Sequence, residues 1–475
     1  MKTAARRILT FSIWIGMLAG EQLFAEQANP DKQPSSQTQP SDSVPGTIFP
    51  GIVPSDQSPE AMVGDMTGVE NGLWDGGDAG NCCAVCGGGY TSPPCWYIDQ
   101  GAKIITRSRP RKSVVTYEFM EVKTIIDGVL QPVQNVYLEA MHTHSFNYNI
   151  APGYFVTFGH YLGRDAMDRD DFLEFTFWGF NSWADSRFFD AGSRDQFSVT
   201  SDDGRFTYSG GGRLVTHFLR DNNGLLHQPT NPLFDNQWGV GGFDHVDTHF
   251  INVDSDMNNF EINLRLRPRG RPDQLVLQPN GRWRRECQPG TFMSYLVGLR
   301  GMRIGDTFRF HSQGTVTVTD NDTGDSFTKP VFGDYNIKTE NALLGFQIGA
   351  DIMFRRCKWA WGVRAKVGPY VNFSRNVKEI VNDPVGTPEQ QYFFNNTFSQ
   401  RRQKASLVGE VGFEATYKFK PNLKGRAAYD FMWITGLALA PEQLTWNLDP
   451  AGNNTINTNG TIYAHGITLD LEWCW

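Results

Sequence analysis

After its N-terminal segment the sequence lacks any apolar run of about 18 residues, the length that a membrane-spanning helix requires. The mean hydropathy of the chain is −0.40. An excess of basic residues is also lacking, because 43 Lys and Arg stand against 51 Asp and Glu and the net charge is −8. The composition therefore excludes a helical membrane protein and argues against a nucleic-acid partner.

Complete catalytic and metal-binding motifs are lacking as well. The block Gly324-Asp325-Ser326-Phe327 resembles the nucleophile block of lipase-like esterases, but the Asp-x-x-His pair that such an enzyme needs late in its chain is absent. His142 and His144 are two residues apart with no third metal ligand indicated, so a polar interior face explains them better. The run Asp320–Asp325 loosely resembles a calcium loop, yet its twelfth position is Val331 rather than Glu. We predict no catalytic residue, no metal site and no cofactor.

Paired metal-binding cysteine motifs are missing too. The chain has 7 cysteines, and four of them (Cys82, Cys83, Cys86 and Cys95) lie in residues 81–95. They contain one C-x2-C pair, where a zinc ribbon needs two. Because an exported chain oxidises its thiols, local disulfides among these four are the favoured interpretation, with metal binding and free thiols as alternatives. The odd total leaves at least one cysteine unpaired or intermolecular.

The N-terminal segment has the pattern of a secretory signal. Lys2, Arg6 and Arg7 precede an apolar core over 8–19, and Leu23-Phe24-Ala25 precedes a polar stretch. This predicts a signal peptide over 1–25 that is cleaved after Ala25, with an uncleaved anchor as the alternative. Residues 26–80, rich in Pro, Ser and Gln, are predicted to be a disordered tether. The Cys-rich segment over 81–95 follows.

The last third of the chain, 344–475, alternates apolar and polar residues through five consecutive segments. In the first, Leu344, Phe346 and Ile348 alternate with Gly345, Gln347 and Gly349. Such alternation predicts strands with one apolar and one polar face. These strands are about 11 to 15 residues long, where about 5 to 6 is usual in soluble sheets and about 9 to 11 cross a membrane.

A soluble antiparallel sheet is the main alternative, because its strands also alternate. Strand length, a charged polar face and the regular change between short turns and long loops favour a barrel in the outer membrane. Seven weaker strands precede the five, so that we predict an all-β antiparallel transmembrane barrel of about twelve strands over 96–475. The seven are predicted at 96–107, 112–126, 135–148, 153–163, 171–183, 257–267 and 291–304. The long surface loops are predicted at 184–256, 305–343, 374–404 and 435–460.

Two sets of side chains are candidates for function. Charged residues on the polar face are predicted to line the lumen, where they would set ion preference: Asp351, Arg364, Lys366, Glu410, Glu414, Lys418, Arg426, Asp430 and Asp470. The final strand keeps its apolar phase to the last residue, which is the pattern of a barrel-assembly signal: Ile467, Leu469, Leu471, Trp473 and Trp475.

Four segments carry a resemblance to a known family: VTFGHYLGRDAMDRDDFLEFTFWGFN, SDMNNFEINLRLRPR, CKWAWGVRAKVGPYVNF and EVGFEATYKFKPNLKGRAAYDFMW. They resemble the outer-membrane β-barrel proteins of planctomycete bacteria and, more distantly, porin-like surface proteins. The resemblance covers about 96–475 and carries over no catalytic residue. It implies the outer-membrane bilayer and the barrel-assembly machinery as partners.

The expected function is a porin-like channel for small polar solutes. The alternative is a structural or adhesive surface protein with a plugged barrel that acts through its loops, and a barrel-borne esterase is a remote third. The sequence does not indicate an oligomeric state.

Overall fold

The computed structural model describes most of residues 96–475. The predicted signal peptide, tether and Cys-rich segment over 1–95, with Cys82, Cys83, Cys86 and Cys95, lie outside the described residues. The other gaps are 123–124, 127–128, 131–133, 168, 192–197, 201–205, 210–213, 217–218, 221–225, 228–237, 240–241, 244–245, 269–273, 278, 280–282, 287–288, 357, 383–394, 421 and 446–454.

Ten antiparallel strands form a closed ring, which confirms the predicted barrel. Each strand pairs with its neighbours in the chain, and the last pairs with the first through Tyr97 opposite Cys474 and Arg107 opposite Ala464. Closure removes the sheet edges that a membrane cannot satisfy. The strands are β1 Trp96–Arg107, β2 Ala151–Arg164, β3 Arg169–Asp190, β4 Thr248–Pro268, β5 Gly290–Asp320, β6 Ser326–Arg355, β7 Trp359–Asn382, β8 Asn395–Lys420, β9 Leu423–Leu437 and β10 Gly460–Cys474.

The ring has ten strands rather than about twelve, because two predicted strands lie outside it. The segments Val114–Val122 and Gln134–His142 lie between β1 and β2 in the chain and pair with each other in a separate sheet, in which Val114–Val122 also pairs with Leu214–Val215. Their alternation is genuine, but it belongs to this small sheet. The remaining short strands are Ile125–Ile126, Val129–Leu130, Ser198–Thr200, Phe206–Ser209, Leu219–Arg220, Leu226–His227, Trp238–Gly239, Gln274–Leu277 and Trp283–Glu286, and the 3₁₀ helices are Thr143–Ser145 and Ala440–Gln443.

The even strand count brings both ends of the barrel sequence to one side, which we call the terminal end. The opposite side, the loop end, has the longer connections, but the strands extend further into them than predicted. The predicted loop 305–343 is wrong, because β5 runs to Asp320 and β6 begins at Ser326, leaving a turn over 321–325. Similarly, β7 runs to Asn382 and β8 begins at Asn395, within the predicted loop 374–404.

The long strands change polarity along their length. In the half near the terminal end, apolar residues face outward, as Val297 and Leu299 do on β5 with exposures of 46% and 45%. Nearer the loop end the phase reverses, so that Ile304 and Phe308 of the same strand are fully buried inside while Arg303 is exposed. On β6, Leu344 likewise faces outward and Ile337 inward. An apolar exterior therefore gives way to a polar exterior part-way along the barrel.

Aromatic residues border the apolar exterior on both sides. On β10, Trp473 lies at the terminal end of the apolar band and Tyr463 at the loop side, where it pairs in register with Trp433. The ten residue steps from Tyr463 to Trp473 correspond to about 25 Å along the barrel axis, at about 3.3 Å per residue and a strand tilt of about 40°. This height matches the apolar band of outer-membrane barrels. Among the described residues, no helix has the length and apolarity to cross a bilayer.

Candidate functional site in the barrel interior

Charged side chains of opposite sign fill the interior at the level of the apolar band. Near the terminal end, the Arg426 guanidinium lies 2.7 Å from Asp99 and 2.8 Å from Asp470. Arg265 lies 2.7 Å from Glu174 and also contacts Asp351. Alternation brings these residues together, because every second position of each strand points inward.

The next layer joins strands that are not neighbours. Lys366 Nζ on β7 lies 2.9 Å from Glu261 on β4, and Arg300 on β5 lies 3.2 Å from Glu410 on β8. Each of these pairs connects strands three places apart in the ring. The Arg300 and Glu261 side chains are both only 1% exposed. The ion pairs thus cross the lumen.

Three further contacts extend this lattice. Asp430 accepts hydrogen bonds from Lys103 Nζ and from an Arg364 guanidinium nitrogen, each at 2.9 Å. Arg107 on β1 and Asp306 on β5 are 2.6 Å apart with both side chains fully buried, and they connect strands four places apart. Opposite charges in such contact leave little unpaired charge to attract a permeating ion, so the interior does not resemble a ring of one sign.

An apolar core fills the interior closer to the loop end. It includes Ile251 and Val253 of β4, Phe308 and Phe310 of β5, and Phe146 from the segment before β2. The Arg107 guanidinium lies 4.5 Å from the centre of the neighbouring Tyr148 ring. Burial raises the pKa of the Tyr148 hydroxyl, which lies outside the strands. Above the ion pairs, the barrel is packed like a soluble protein.

The chain after β9 covers this core. We call residues 438–445 the strap; Ala438, Leu439 and Ala440 in it are at most 1% exposed. Gly436, at φ 75°, turns the chain into the mouth of the barrel, a conformation that glycine adopts readily. Asn341 fixes the strap through two hydrogen bonds of 2.8 Å, one donated to Ala438 O and one accepted from Ala438 N.

The structure places eight of the nine predicted lumen residues in this lattice. Asp351, Lys366, Glu410, Asp430 and Asp470 are buried, and Arg364, Glu414 and Arg426 are 11%, 11% and 19% exposed. Lys418 lies near the terminal end of β8 and is half-buried.

Several partners that complete the pairs were not among the predicted lumen residues, including Lys103, Arg107, Glu261, Arg300 and Asp306, as well as Asp99, Glu174 and Arg265 near the terminal end. Lys103 and Glu261 could have been found from the alternation alone, since each lies on a predicted strand with apolar residues on both sides. Arg107 and Arg300 also lie on predicted strands, but Arg107 is flanked by Thr106 and Ser108 and Arg300 has Gly301 on one side. Asp306 could not be found in this way, because it fell inside the predicted loop 305–343.

The predicted assembly signal lies on the outer surface. Its five residues, four on β10 and Trp475 directly after it, are 41% to 51% exposed and face away from the lattice. Trp475 donates its backbone N–H to Trp96 O at 3.1 Å, and Trp96 donates to Trp475 O at 3.3 Å. The last residue therefore completes the seam between the first and last strands.

The remaining polar candidates are engaged by the fold. Asp320 Oδ1 accepts the backbone N–H of Asp322 at 2.9 Å, as in an ordinary turn. Ser326 of the esterase-like block bonds Thr319 across the hairpin at 2.9 Å. His144 Nε2 bonds Pro110 O at 2.7 Å, and its ring centre is 6.3 Å from that of His142. Within the described residues no group of three or more His, Cys, Asp or Glu side chains could hold a metal ion.

Several solved barrel structures are similar to the chain at low identity. The outer membrane protease OmpT from Escherichia coli covers 81% of the chain and is itself covered to 98%, with 13% identity and a TM-score of 0.33. The Pseudomonas putida toluene transporter TodX covers 83% of the chain and is covered to 93%, with 9% identity and a TM-score of 0.16. Pseudomonas putida OprB covers 80% of the chain and is covered to 94%, with 8% identity and a TM-score of 0.12. At such TM-scores these likenesses carry no argument about function.

A sequence family gives the more informative match. Among curated proteins none matches the chain. Residues 251–475, however, match the family described as "Putative beta barrel porin-7" (BBP7). The matched residues include strands β4 to β10, except the first three residues of β4. They also include most of the residues of the ion-pair lattice. From residue 251 to its last residue, the chain is similar to a porin-like β-barrel family.

Proposed function

We propose that this protein is an outer-membrane β-barrel with a closed interior, which acts through the structure at its loop end. The family match and the apolar band of about 25 Å support the outer-membrane location. The predicted signal peptide and the resemblance to planctomycete barrels are consistent with it and stay predictions.

The observation that carries the closed interior is the lattice of ion pairs across the lumen. Lys366–Glu261 and Arg300–Glu410 bridge strands three places apart, and the apolar core and the strap lie above them. Barrels of about 8 strands have an interior just wide enough for side chains to fill. In a ring of ten strands, long charged side chains can fill the interior in the same way.

Passage of small polar solutes remains the other candidate, because the matched family is described as a porin family. Conductance of the purified full-length protein in planar bilayers separates the two. The closed barrel predicts no steady conductance steps. Steady ohmic steps of the unmodified protein would contradict it and favour the channel.

A variant without the charges that cross the lumen shows whether these charges are the cause when the unmodified protein gives no conductance. Replacing Glu261, Arg300, Lys366 and Glu410 together by Ala removes two charges of each sign and empties the crossing layer. Conductance steps from this variant, with heat-modifiable migration showing that it folds, would show that the layer closes the barrel. If it folds and stays silent, the lattice is not the barrier and the strap is tested next.

A further inference from the structure

A cleft at the loop end lies between β8 and the segment that leads into β10. The ladder between β8 and β9 covers only the part of β8 nearer the terminal end, and residues 455–459 flank the rest. Gln400 and Arg402 line one side of the cleft, and Thr455 and Ile456 line the other. Its volume of 290 Å³ is close to the lower limit of about 300 Å³ for pockets that hold small molecules.

The β8 side of the cleft is basic and is held in place by neutral groups. Arg402 donates to Ile456 O at 3.1 Å, and Lys404 Nζ donates to Thr458 O at 3.0 Å. Gln400 alternates in phase with both cations, so all three side chains belong to the inner face of β8. Within the described residues, neither Arg402 nor Lys404 forms an ion pair with a carboxylate. Fixed cations with neutral partners create a positive field that attracts an anionic group.

A row of polar side chains leads from the cleft across the inner face of the barrel. Asn376 on β7 is the register partner of Gln400 on one side and of Thr339 on β6 on the other. Side chains directly opposite each other have Cβ atoms about 4.5 to 5.5 Å apart, so the row is continuous. Asn376 and Thr339 are 1% and 0% exposed, and neither Asn376 Oδ1 nor Thr339 Oγ1 has a hydrogen-bond partner among the described residues.

Two more buried oxygen atoms of this kind lie nearer the membrane. Asn372 Oδ1 and Thr458 Oγ1 also lack a partner among the described residues, which are 0% and 1% exposed at these positions. Asn372 is the register partner of Lys404, which contacts Thr458. Buried side-chain oxygen atoms in proteins are in large majority hydrogen-bonded. Four exceptions in one region indicate a ligand that supplies hydrogen-bond donors.

We infer that this cleft binds one unit of a sugar acid, whose hydroxyl groups reach Asn376 and Thr339 and whose carboxylate is held by Arg402. A hydroxyl group both donates and accepts, so it can satisfy an amide oxygen and a threonine hydroxyl. A guanidinium group binds a carboxylate through paired hydrogen bonds. The inference rests on the proposed function, which exposes the loop end, because Asn376 lies beyond the 46% exposed Phe373 of the apolar band.

The test is a ligand-observed NMR titration of the folded full-length protein in a sugar-free detergent. The probes are D-glucuronate, D-galacturonate and D-mannuronate, with glucose, galactose and mannose as the matched neutral sugars. We expect at least one hexuronate to bind about tenfold more tightly than its neutral sugar. Arg402→Gln should remove this difference and leave the affinity for the neutral sugar unchanged, whereas Asn376→Ala should weaken the binding of both sugars.

Two variants serve as controls for these changes. Ser399 neighbours Gln400 but is on the outer face of β8, and Arg309 is an exposed cation on β5. Neither Ser399→Ala nor Arg309→Gln should alter the binding of the hexuronate. Heat-modifiable migration of each variant confirms folding. Thr339→Val, which removes a hydroxyl group at nearly constant volume, takes the place of Asn376→Ala if that variant does not fold.

Three outcomes would overturn the inference. Binding of no hexuronate would assign the buried oxygen atoms to water alone. Binding of acetate as tight as that of the hexuronate would show that the cleft selects charge and not hydroxyl groups. An equal loss of affinity in Arg309→Gln would show that the general field of the protein, and not Arg402, attracts the carboxylate. Bilayer conductance is independent of sugar binding, so a failure here is distinct from a failure of the closed barrel.

Discussion

Replacing Arg300 by Met tests whether the interior is dry. Arg300 is 1% exposed and lies 3.2 Å from Glu410 and 3.5 Å from Glu261. Removing one member of a buried pair leaves an uncompensated charge and costs about 3 to 5 kcal/mol. Because Lys366 remains 2.9 Å from Glu261, we expect about 3 kcal/mol, the lower end of that range. In a water-filled lumen the same pair would contribute about 0 to 1 kcal/mol.

The strand provides its own control. Arg303 lies three residues along β5 on the outer surface, 66% exposed, and pairs with Glu340 at 3.2 Å. Arg303→Met should therefore cost no more than about 1 kcal/mol. Urea unfolding of the protein in lipid vesicles, followed by tryptophan fluorescence, measures both free energies. Adding Glu410→Gln to Arg300→Met should recover part of the loss, because without Arg300 the Glu410 carboxylate keeps only the longer contacts to Lys103 at 3.9 Å and Arg364 at 3.7 Å.

Equal costs for Arg300→Met and Arg303→Met, both below about 1 kcal/mol, would refute the reasoning. The lattice would then be hydrated, and the ion pairs would be no obstacle to solutes. The charged residues could in that case set ion preference, as the sequence analysis predicted. Neutralising Arg364, Lys366 and Arg426 would then shift the reversal potential toward cations.

Three further predictions concern the outer surface, the seam and the strap. Phe413 is 62% exposed in the apolar band, so Phe413→Arg should cost about 2 to 4 kcal/mol near the midplane. Glu414→Gln should change the free energy of unfolding only slightly, because the ion pairs of Glu414 are 3.7 and 3.9 Å long. If a urea titration showed Glu414→Gln to be more destabilising than Phe413→Arg, the assignment of the outward and inward faces would be reversed. Deleting Trp473 to Trp475 should block assembly and leave a protease-sensitive form, whereas deleting 27–60 should not. Normal heat-modifiable migration of the protein that lacks Trp473 to Trp475 would contradict this. Asn341→Leu should cost about 2 kcal/mol, since it leaves both backbone groups of Ala438 without their buried partner. Proteolysis within 438–459 should therefore become faster. An unchanged cleavage rate would mean that the strap is held by its apolar contacts.

Much of the barrel could be predicted because its membrane part follows one simple rule. Where apolar residues face lipid, as Leu344, Phe346 and Ile348 do, alternation with polar residues identifies the strand and both of its faces. The same rule located the inward positions of Asp351 and Lys366. Pairing could not be predicted in this way, because the partner of Lys366 is Glu261, more than 100 residues earlier in the chain.

The rule failed where the polarity reverses. Between Leu299 and Met302 on β5 the apolar residues move from odd to even positions, and the change was therefore interpreted as the approach to a loop. The strand continues because backbone pairing depends on the ladder and not on the side-chain phase. The segments Val114–Val122 and Gln134–His142 caused the opposite error, since local alternation does not reveal which sheet a strand joins.

The reversal of polarity also explains why the strands are so long. A strand that only crosses the bilayer needs about 9 to 11 residues, whereas β5 has 31 and β6 has 30. Beyond the lipid, water surrounds the exterior, so that Arg303 can face outward and the interior can gain stability from packed apolar residues such as Phe308. Within the lipid the opposite holds, and a polar lattice fills the interior. The level at which both changes occur, next to Phe373, therefore marks the membrane boundary, and the strands beyond it form a rigid surface that extends outward from the bilayer.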